Sequence, residues 1–589
     1  MRLSRLFAVS LPVCALLVGG VQPIGASAGA PAPAVPSGAA STTAGPARSA
    51  APAGAEDGRL TYEVRHVPTV GDAVIRVEIW RDRRFDAAGQ PAILTYSPYN
   101  SLSEPEPAID TVGERYVPRG YARVVADVIG TRGSTGCWDY GGRAEQQSGV
   151  DVVKWLADRS WSSGKVAMIG GSYNGTTASM VAARGADVPE LKAIVPISAI
   201  SRWYGYAYGD GVRYFLNSRV PTDEGFDTPL AFDVGFGKTV AADPMGQQFA
   251  DTLRARAAEC DATAHTEEGY NRNPDYDRFW VSRDYRRDAD DFRAAVLLAH
   301  GWQDYNVKQQ EATELFRRLQ VDRPGTARVE GVPFKLMYLT QGSHSGGTDG
   351  KRWMPLLDRF LAHTLKGVDN GVGDAGPVIT QGADADGATR FRVHDDYPLP
   401  GTDPTSLWLR EGDDRRRLGN GPDRSGGAHV ASYVETGTST EELGSAGTLE
   451  YVSAPVAHAT RLVGSARLEA VVRMQNPTMH LTPVLVDIAP DGSSRTVERG
   501  FLHVDYRQGL DEARPAPGEW VRATARMLPQ DYTFGPGHRI GVRVQSSNRV
   551  WAVPGNPGTV DVAVGQVADV TPVGSRLVLP TIGREARFD

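Results

Sequence analysis

A chain of 589 residues with 41% hydrophobic and 23% charged side chains has the composition of a soluble globular protein. It is too long for a single hydrophobic core, so we expect roughly three or four domain-sized units. The net charge of −7 comes from interspersed acids and bases, which argues against a nucleic-acid or anionic-membrane partner. Beyond the first 30 residues, no apolar stretch is long enough to span a bilayer.

The N-terminus has the pattern of a secretory signal peptide. Arg2 and Arg5 precede an apolar run over residues 6–20, and Ala26-Ser27-Ala28 offers a small-residue cleavage site. The following stretch is rich in Ala, Pro, Gly and Ser and cannot pack a core, which disfavours a buried N-terminal helix as the alternative. We therefore predict a signal peptide over 1–28, a disordered linker over 29–58, and an extracellular protein that is released from the membrane.

Two cysteines, Cys137 and Cys260, remain after removal of this segment. An even pair in an exported chain favours one disulfide bond, with two separate buried thiols as the alternative. The sequence contains neither His-Glu-x-x-His nor a tight carboxylate cluster, so we expect no metal and no cofactor.

From residue 59 onward, short apolar segments alternate with helix-like stretches. Residues 61–81 alternate apolar and polar side chains around Gly71-Asp72, which predicts a β-hairpin. A helix with one apolar face is predicted over 149–157. Six further strands are predicted, over residues 92–96, 122–126, 166–169, 193–195, 295–299 and 334–339. Strands that alternate with helices predict a parallel sheet with helices on both sides.

Two regions depart from this alternation. Residues 203–293 contain aromatic-rich loops and a helix-like stretch over 247–260, which we interpret as a cap inserted over the C-terminal edge of the sheet. After residue 401, short alternating segments between Gly, Pro and Asp turns predict an all-β domain, with strands over 466–473, 480–488 and 539–544 among them. The predicted organisation is an α/β domain over 59–202 and 294–400, a cap over 203–293, and a β-sandwich over 401–589.

Ser172 carries the clearest functional signal. It follows the apolar run Val-Ala-Met-Ile within residues 166–175, and an apolar strand that runs into Gly-x-Ser predicts a nucleophile elbow, where a sharp strand-to-helix turn exposes the serine hydroxyl. A side chain at Gly170 or Gly175 would collide with this turn or with the neighbouring strand. A serine nucleophile also needs a histidine base and an acid that orients the histidine.

Two later strands end at suitable partners for Ser172. Asp304 follows the strand over 295–299, and His344 follows the strand over 334–339. Either residue alone could be an ordinary loop residue. Because all three fall at strand ends, in the order serine, acid, histidine that α/β-hydrolase folds use, we predict a Ser172–Asp304–His344 triad.

The residues around this triad resemble a known group of enzymes. Gly-x-Ser-Tyr-x-Gly, Gly-Trp-x-Asp and Ser-His-Ser are similar to the X-prolyl dipeptidyl-peptidase and cocaine esterase group of serine hydrolases. The resemblance includes Ser97-Pro98-Tyr99 and residues 127–136, and covers most of the chain from Thr61. His-Gly-Trp-Gln-Asp-Tyr-Asn-Val over 300–307 and Trp-Tyr-Gly-Tyr over 203–206 look closest to the X-prolyl peptidases. This resemblance implies an α/β-hydrolase fold with an inserted helical cap and a C-terminal jelly roll.

The resemblance also implies roles for individual residues. Ser172 would be the nucleophile, Asp304 the orienting acid and His344 the base. The oxyanion hole would combine the Tyr99 hydroxyl with the backbone N–H of Tyr173, the residue after the nucleophile.

A pocket for proline is implied in the same way. Trp203 and Tyr206 would form its flat aromatic wall, with cap packing as the alternative for each, and Asn306 and Val307 would line it. The substrate's α-ammonium needs a carboxylate, for which Asp210 and Glu224 are the candidates. The predicted function is a secreted serine peptidase that releases N-terminal X-Pro dipeptides through an acyl-enzyme, from peptides with proline at the second position. The alternatives are an esterase or acylase with the same triad, and an inactive hydrolase-like surface-binding protein.

Overall fold

The computed structural model describes fourteen ranges of the chain: residues 59–98, 109–214, 260, 273–304, 306–319, 335–348, 350–372, 376–412, 416–422, 429–441, 444–445, 447–477, 479–567 and 574–582. The predicted signal peptide and linker lie outside these residues. So do Tyr99, Glu224 and the predicted cap helix, except for Cys260. No helix within the described ranges has the length and apolarity needed to cross a membrane.

The strands of the α/β domain and the cap follow the predicted order. In the described residues they are β1 (Leu60–Pro68), β2 (Val74–Asp82), β3 (Gln90–Ser97), β4 (Ala122–Asp127), β5 (Ser162–Gly171), β6 (Leu191–Ile197), β7 (Tyr208–Gly209), β8 (Val212–Arg213), β9 (Ala295–Gly301), β10 (Lys335–Thr340), β11 (Val378–Asp384) and β12 (Thr389–His394). The predicted opening hairpin and all six predicted strands are confirmed.

The sheet of the α/β domain is mixed rather than wholly parallel. Its spatial order is β1-β2-β4-β3-β5-β6-β9-β10-β11-β12, and every neighbouring pair from β4 to β11 is parallel. The pairs β1–β2, β2–β4 and β11–β12 are antiparallel. The hairpins at the two edges explain part of this difference, since connections of a few residues can join only antiparallel neighbours.

Helices cover both faces of this sheet. The described residues contain α1 (Thr111–Tyr116), α2 (Arg143–Ala157), α3 (Tyr173–Ala182), α4 (Trp203–Ala207), α5 (Arg278–Val281), α6 (Gln310–Arg318) and α7 (Trp353–Lys366), with short 3₁₀ helices at Arg83–Ala88, Val117–Arg119, Tyr285–Asp291 and Val504–Tyr506. Of these, α4, α5 and the 3₁₀ helix at Tyr285–Asp291 belong to the cap, and the 3₁₀ helix at Val504–Tyr506 belongs to the C-terminal domain. The packing of β5 on both of its faces explains why its sequence is continuously apolar. Val166 and Met168 face the core that contains α2 and α3, while Ala167 and Ile169 face the core that contains α7.

The described part of the cap contains α4, the β7–β8 hairpin, α5 and the 3₁₀ helix at Tyr285–Asp291. The hairpin turns at Asp210 and Gly211, whose φ angles are +42° and +89°. Asp-Gly is one of the residue pairs that best tolerate two successive left-handed positions. The backbone oxygen of Asp210 accepts a hydrogen bond from the amide of His503 at 2.9 Å, so this turn contacts the C-terminal domain.

The C-terminal domain, here called the β domain, is all-β as predicted. Its described strands are β13 (Thr402–Arg410), β14 (Arg417–Gly419), β15 (Val430–Glu435), β16 (Thr448–Pro455), β17 (Thr460–Gly464), β18 (Arg467–Met474), β19 (His480–Leu481), β20 (Val484–Ile488), β21 (Ser494–Arg499), β22 (Leu502–His503), β23 (Trp520–Arg526), β24 (Gln530–Phe534), β25 (Arg539–Gln545), β26 (Gly558–Ala563) and β27 (Arg576–Ile582). They share one hydrophobic core. The jelly-roll topology and the domain boundaries stay predictions.

Two details of the β domain differ from a simple succession of strands. The segment predicted as one strand over 480–488 forms two strands, interrupted around Pro483, which has no N–H to donate to a ladder. Strand β24 pairs in parallel with the end of β11, where Ala383 lies opposite Tyr532. The hydrogen bonding of the α/β sheet therefore continues into the β domain.

Candidate active site

Ser172 lies in the tight turn between β5 and α3. Its φ of +58° and ψ of −126° are a strained combination for a residue with a side chain. The turn leaves no room at its glycines: a Cβ on Gly170 would lie 2.4 Å from the Cβ of Asn174, and one on Gly175 would lie 2.6 Å from the oxygen of Gly170. The crowding predicted for these glycines is confirmed, and the turn has the geometry of a nucleophile elbow.

Asp304 and His344, 40 residues apart in the chain, are joined by hydrogen bonds. Nδ1 of His344 lies 2.9 Å from Oδ2 and 3.1 Å from Oδ1 of Asp304. Oδ1 also accepts the backbone amides of Asn306 at 2.9 Å and Val307 at 3.0 Å, which fix the carboxylate. The Asp304 side chain is fully buried, whereas 22% of the His344 side chain is exposed. An acid is thus fixed inside the protein against a histidine at the surface of the site.

The pair has the charge distribution of an acid that orients a base. Burial by itself would raise the pKa of Asp304, but the charge of His344 and the hydrogen bonds from His300 and His344 hold it well below its usual range. Burial lowers the pKa of His344, and the attraction and hydrogen bond of Asp304 outweigh this effect and raise it. The ionised carboxylate favours a proton on Nδ1, which leaves Nε2 able to accept one.

His300 is a second histidine on Asp304. Its Nε2 lies 3.4 Å from Oδ2 of Asp304 and 2.9 Å from the backbone oxygen of Val307. His300 is the sixth residue of β9, in which every residue is buried. It opens the segment over 300–307 that resembles the X-prolyl peptidases, but the sequence assigned it no role in the site.

The serine turn and the histidine loop both contact Ile197, the last residue of β6. The amide of Ser172 donates to the oxygen of Ile197 at 2.8 Å, and a Cβ on Gly346 would lie 3.1 Å from Cγ2 of Ile197. Among the described residues, no hydrogen bond joins the hydroxyl of Ser172 to His344, whose Nε2 lies 3.4 Å from Nδ2 of Asn306. A nucleophile and its base are often separated in this way before substrate binds.

Four of the residues predicted to line a pocket lie next to Asp304 and His344. The Tyr206 hydroxyl donates to Oδ1 of Asn306 at 3.0 Å, and Trp203 packs edge-on against Tyr206 with ring centroids 6.1 Å apart. Trp203 also packs edge-on against Tyr173, with ring centroids 5.4 Å apart. Val307 is 1% exposed and contributes its amide to Asp304. The structure therefore joins α4 of the cap to Asn306 and, through Asn306, to His344.

Asp210 occupies the hairpin turn described above. Among the described residues, its carboxylate makes no hydrogen bond and no ion pair, and only its backbone oxygen is bonded, to His503. Burial raises the pKa of this carboxyl, and the charges of Arg202 and Arg526 partly offset the effect.

The predicted disulfide is present between Cys137 and Cys260. The next residue, Trp138, donates from Nε1 to the Tyr173 hydroxyl at 2.9 Å. The disulfide therefore attaches the cap to a loop that packs on the residue after Ser172.

Glu145, on α2, is a fully buried carboxyl beneath this region that the sequence did not single out. Its Oε2 accepts hydrogen bonds from Trp138 Nε1 at 3.0 Å, from the amide of Gly141 at 2.7 Å and from the Tyr173 hydroxyl at 2.8 Å. Burial, with the nearby charge of Asp139, raises its pKa to about 8. A glutamate in the first turn of a helix normally indicates a favourable exposed charge, so the pattern gave no signal for a buried one.

The fold and this strand-end arrangement define the class of the protein, an α/β-hydrolase with the site of a serine hydrolase. Residues 71–346 match the family described as X-Pro dipeptidyl-peptidase (S15 family), and residues 370–568 match the X-Pro dipeptidyl-peptidase C-terminal non-catalytic domain. Together the two matches take in most of the chain, which belongs to the X-Pro dipeptidyl-peptidase family S15.

Individual relatives agree with this assignment. A Streptomyces avermitilis protein, named provisionally as an Xaa-Pro dipeptidyl-peptidase, is 28% identical over 87% of this chain and 76% of its own length. The Xaa-Pro dipeptidyl-peptidase of Lactiplantibacillus plantarum is 30% identical over 44% of this chain and 32% of its own. A CocE/NonD family hydrolase from Staphylococcus aureus has the same fold, with a TM-score of 0.69 and 18% identity over 89% of this chain and 96% of that one.

Proposed function

We propose that the protein is a secreted serine peptidase that releases N-terminal X-Pro dipeptides through an acyl-enzyme. The observation that carries the proposal is the chain of contacts from Asp304 through His344 and Asn306 to Tyr206, which connects a charge-paired histidine to an aromatic cap. The family of the chain supports the substrate class.

In the proposed reaction, Oγ of Ser172 attacks the carbonyl carbon of the substrate's proline, and Nε2 of His344 takes the hydroxyl proton. The backbone N–H of Tyr173 and the hydroxyl of Tyr99 stabilise the negative oxygen that forms. His344 then gives its proton to the departing amine, which leaves a Ser172 ester. Water attacks this ester with His344 again as the base, and the dipeptide and free serine are formed.

Substrate selection is proposed to occur between the cap and the loop after β9. Trp203 and Tyr206 offer flat surfaces to the proline ring, and Asn306 and Val307 complete the wall. The substrate's ammonium would bind Asp210, a partly exposed residue whose carboxylate makes no ion pair among the described residues, or Glu224, which lies outside them. With Asp210 as the ligand, Asp210→Asn raises KM for a Gly-Pro anilide about tenfold or more and leaves kcat nearly unchanged; an unchanged KM leaves Glu224 as the candidate.

The discriminating experiment compares release of a chromophore from a Gly-Pro anilide with release from a simple acetate ester. We expect efficient Gly-Pro cleavage, and a fluorophosphonate probe should label Ser172. Fast ester turnover without Gly-Pro cleavage would identify an esterase and contradict the proposal. A protein with neither activity nor labelling would instead fit the surface-binding alternative.

Two serine variants complete the test. Ser172→Ala should lower kcat/KM by at least about 10³-fold and abolish labelling, because the acyl-enzyme cannot form. Ser163→Ala is the matched control, since Ser163 is exposed at the opposite end of the same strand, β5. It should leave activity and labelling unchanged.

Secretion is part of the proposal. The arginines before the apolar run at the N-terminus support it, and the disulfide is of a kind that persists in oxidising compartments. Mass spectrometry of the protein from culture medium should give a mature N-terminus after Ala28. Full-length protein confined to the cytoplasm would contradict this part.

A further inference from the structure

Lys308 is a buried lysine in the loop that carries Asp304 and Asn306. The residue is 1% exposed, and its Nζ donates a hydrogen bond to the backbone oxygen of Asn306 at 3.0 Å. Among the described residues, no carboxylate forms an ion pair with it. An ammonium in this position loses most of its hydration and regains little of it from a direct counter-ion.

Three aromatic rings surround the ammonium instead. Nζ of Lys308 lies 4.0 Å from the ring centroid of Tyr214, 5.8 Å from that of Tyr206 and 6.0 Å from that of Trp551. The faces of aromatic rings attract cations, and more strongly where water is excluded. Tyr206 and Tyr214 belong to the cap and Trp551 to the β domain. Rings from two parts of the chain, the cap and the β domain, therefore form an aromatic cage around one charge.

The charge of Lys308 acts on the candidate base. Burial lowers the pKa of Lys308 to about 7, although Asp304 and Glu311 favour its charged form. The same positive charge lowers the pKa of His344, opposite to the effect of Asp304. Lys308 also reaches His344 by contact, since Asn306 accepts its hydrogen bond and lies 3.4 Å from Nε2 of His344.

We propose that Lys308 is a positioning residue of the active site, which acts on His344 by its charge and by holding Asn306, and that its aromatic cage couples this action to the cap and the β domain. The inference rests on the proposed function, because it requires His344 to be the base of Ser172. A charged Lys308 keeps His344 free of a proton at a lower pH than Asp304 alone would allow.

Other titratable groups surround these two side chains and stay in place in the test below. Asp304 and, behind it, His300 face the imidazole of His344. The groups around Lys308 and its cage are Asp304, Glu311, Tyr206, Tyr214, Asp210, Arg202, Glu498 and Arg499.

The test measures the second-order rate of Ser172 inactivation by a fluorophosphonate between pH 5 and 9, in the full-length protein. Lys308→Gln removes the charge but keeps a donor for Asn306, and Lys308→Arg keeps the charge. We expect the acidic limb of the profile to move up by about half a pH unit to one unit in Lys308→Gln and to stay in place in Lys308→Arg. An unmoved limb in a folded Lys308→Gln protein overturns the inference.

Lys335 provides a matched control. It is also a buried lysine, with Nζ 4.2 Å from the ring centroid of Phe316 and 2.9 Å from the backbone oxygens of Phe316 and Leu319. It begins β10, whereas His344 follows the other end of that strand. Lys335→Met should therefore lower stability without moving the acidic limb, and an equal shift in this variant would mean that the effect is a general result of lost packing.

Two further arrangements keep the outcomes separable. Trp551→Leu leaves Lys308 in place but removes the ring that the β domain contributes to its cage, so the acidic limb should move up by less than in Lys308→Gln. If Lys308→Gln fails to fold, an unmoved acidic limb in Trp551→Leu overturns the inference. If the probe does not label Ser172 in the unmodified protein, the proposed function fails. If it labels Ser172 and the limb does not respond to Lys308, only the present inference fails.

Discussion

The hydroxyl of Tyr206 donates a 3.0 Å hydrogen bond to Oδ1 of Asn306, whose Nδ2 lies 3.4 Å from Nε2 of His344. This hydrogen bond joins the cap to the loop after β9. Its acceptor, Asn306, is also the neighbour of the candidate base, His344. The orientation of Asn306 therefore depends on Tyr206, a residue of the cap that follows Ser172 by 34 positions in the chain.

Tyr206→Phe removes this hydrogen bond and keeps the ring. We expect kcat/KM for a Gly-Pro anilide to fall about two- to tenfold, the usual net value of one buried hydrogen bond. Tyr204→Phe is the control, because Tyr204 lies on the same helix but donates to the backbone oxygen of Pro274 at 2.7 Å. Steady-state kinetics that fall equally in both variants would show that the helix, rather than Asn306, responds to the change.

The pH dependence of activity should follow His344. Because its pKa is raised, kcat/KM should decline as the pH falls through a value above about 6.5, where the imidazole takes up a proton and stops acting as a base. Asp304→Asn removes the charge that raises this pKa, so the limb should move to lower pH while kcat falls about 10³- to 10⁴-fold. A profile that stays flat down to pH 5.5 would contradict the role of His344.

Glu145 predicts a pH dependence of stability. Its folded pKa of about 8 lies above the ordinary glutamate value, so the stability that it contributes is complete below about pH 4.5 and is lost as the pH rises through 8. Glu145→Gln cannot lose a proton. In urea unfolding at pH 5, 6.5 and 8, the free energy of unfolding of Glu145→Gln should therefore rise relative to that of the unmodified protein as the pH rises.

Glu145→Ala serves as the contrast to this glutamine variant. It removes the acceptor to which the Gly141 amide and the Tyr173 hydroxyl donate, whereas Trp138 Nε1 keeps the Tyr173 hydroxyl as an acceptor, and each buried donor left unpaired costs about 1–3 kcal/mol. We expect strong destabilisation at every pH. Parallel stability curves for the unmodified protein and Glu145→Gln would mean that Glu145 does not change protonation in this range.

Removal of the disulfide should destabilise the protein. Cys137 and Cys260 are 123 residues apart, and closing a long loop restricts the unfolded chain, so we expect Cys137→Ala/Cys260→Ala to lose roughly 2–4 kcal/mol. The measurement is thermal unfolding with and without reductant. Reductant should lower the Tm of the unmodified protein toward that of the double variant and leave the double variant unchanged, whereas a reductant effect on both would have another cause.

The sequence predicted the parts of the site that depend on local pattern. Ser172, Asp304 and His344 could be placed because each follows an apolar run, and parallel strands end at one edge of a sheet. The glycines at 170 and 175 could be explained before the structure, because the turn itself requires them. None of these inferences needs knowledge of which segments touch.

The features that the sequence did not reveal depend on contacts between distant segments. Lys308 and Glu145 are charged residues that a pattern assigns to the surface, and only the packing of the cap, the disulfide loop and the β domain buries them. The bond between Tyr206 and Asn306 likewise depends on where the cap lies. The antiparallel β2–β4 pair was missed because pairing across the sheet leaves no local pattern.

The parallel pairing of β11 with β24 bears on how this enzyme architecture can be altered by recombination. In the sequence, a boundary near residue 401 would be a natural point at which to exchange C-terminal domains among homologues. The backbone ladder from Ala383 to Tyr532 and the 2.8 Å bond from Thr380 Oγ1 to Asp531 Oδ2 cross that point. A chimaera must therefore inherit the register of β11 and β24 from the same parent, or it will begin with two mismatched strand edges.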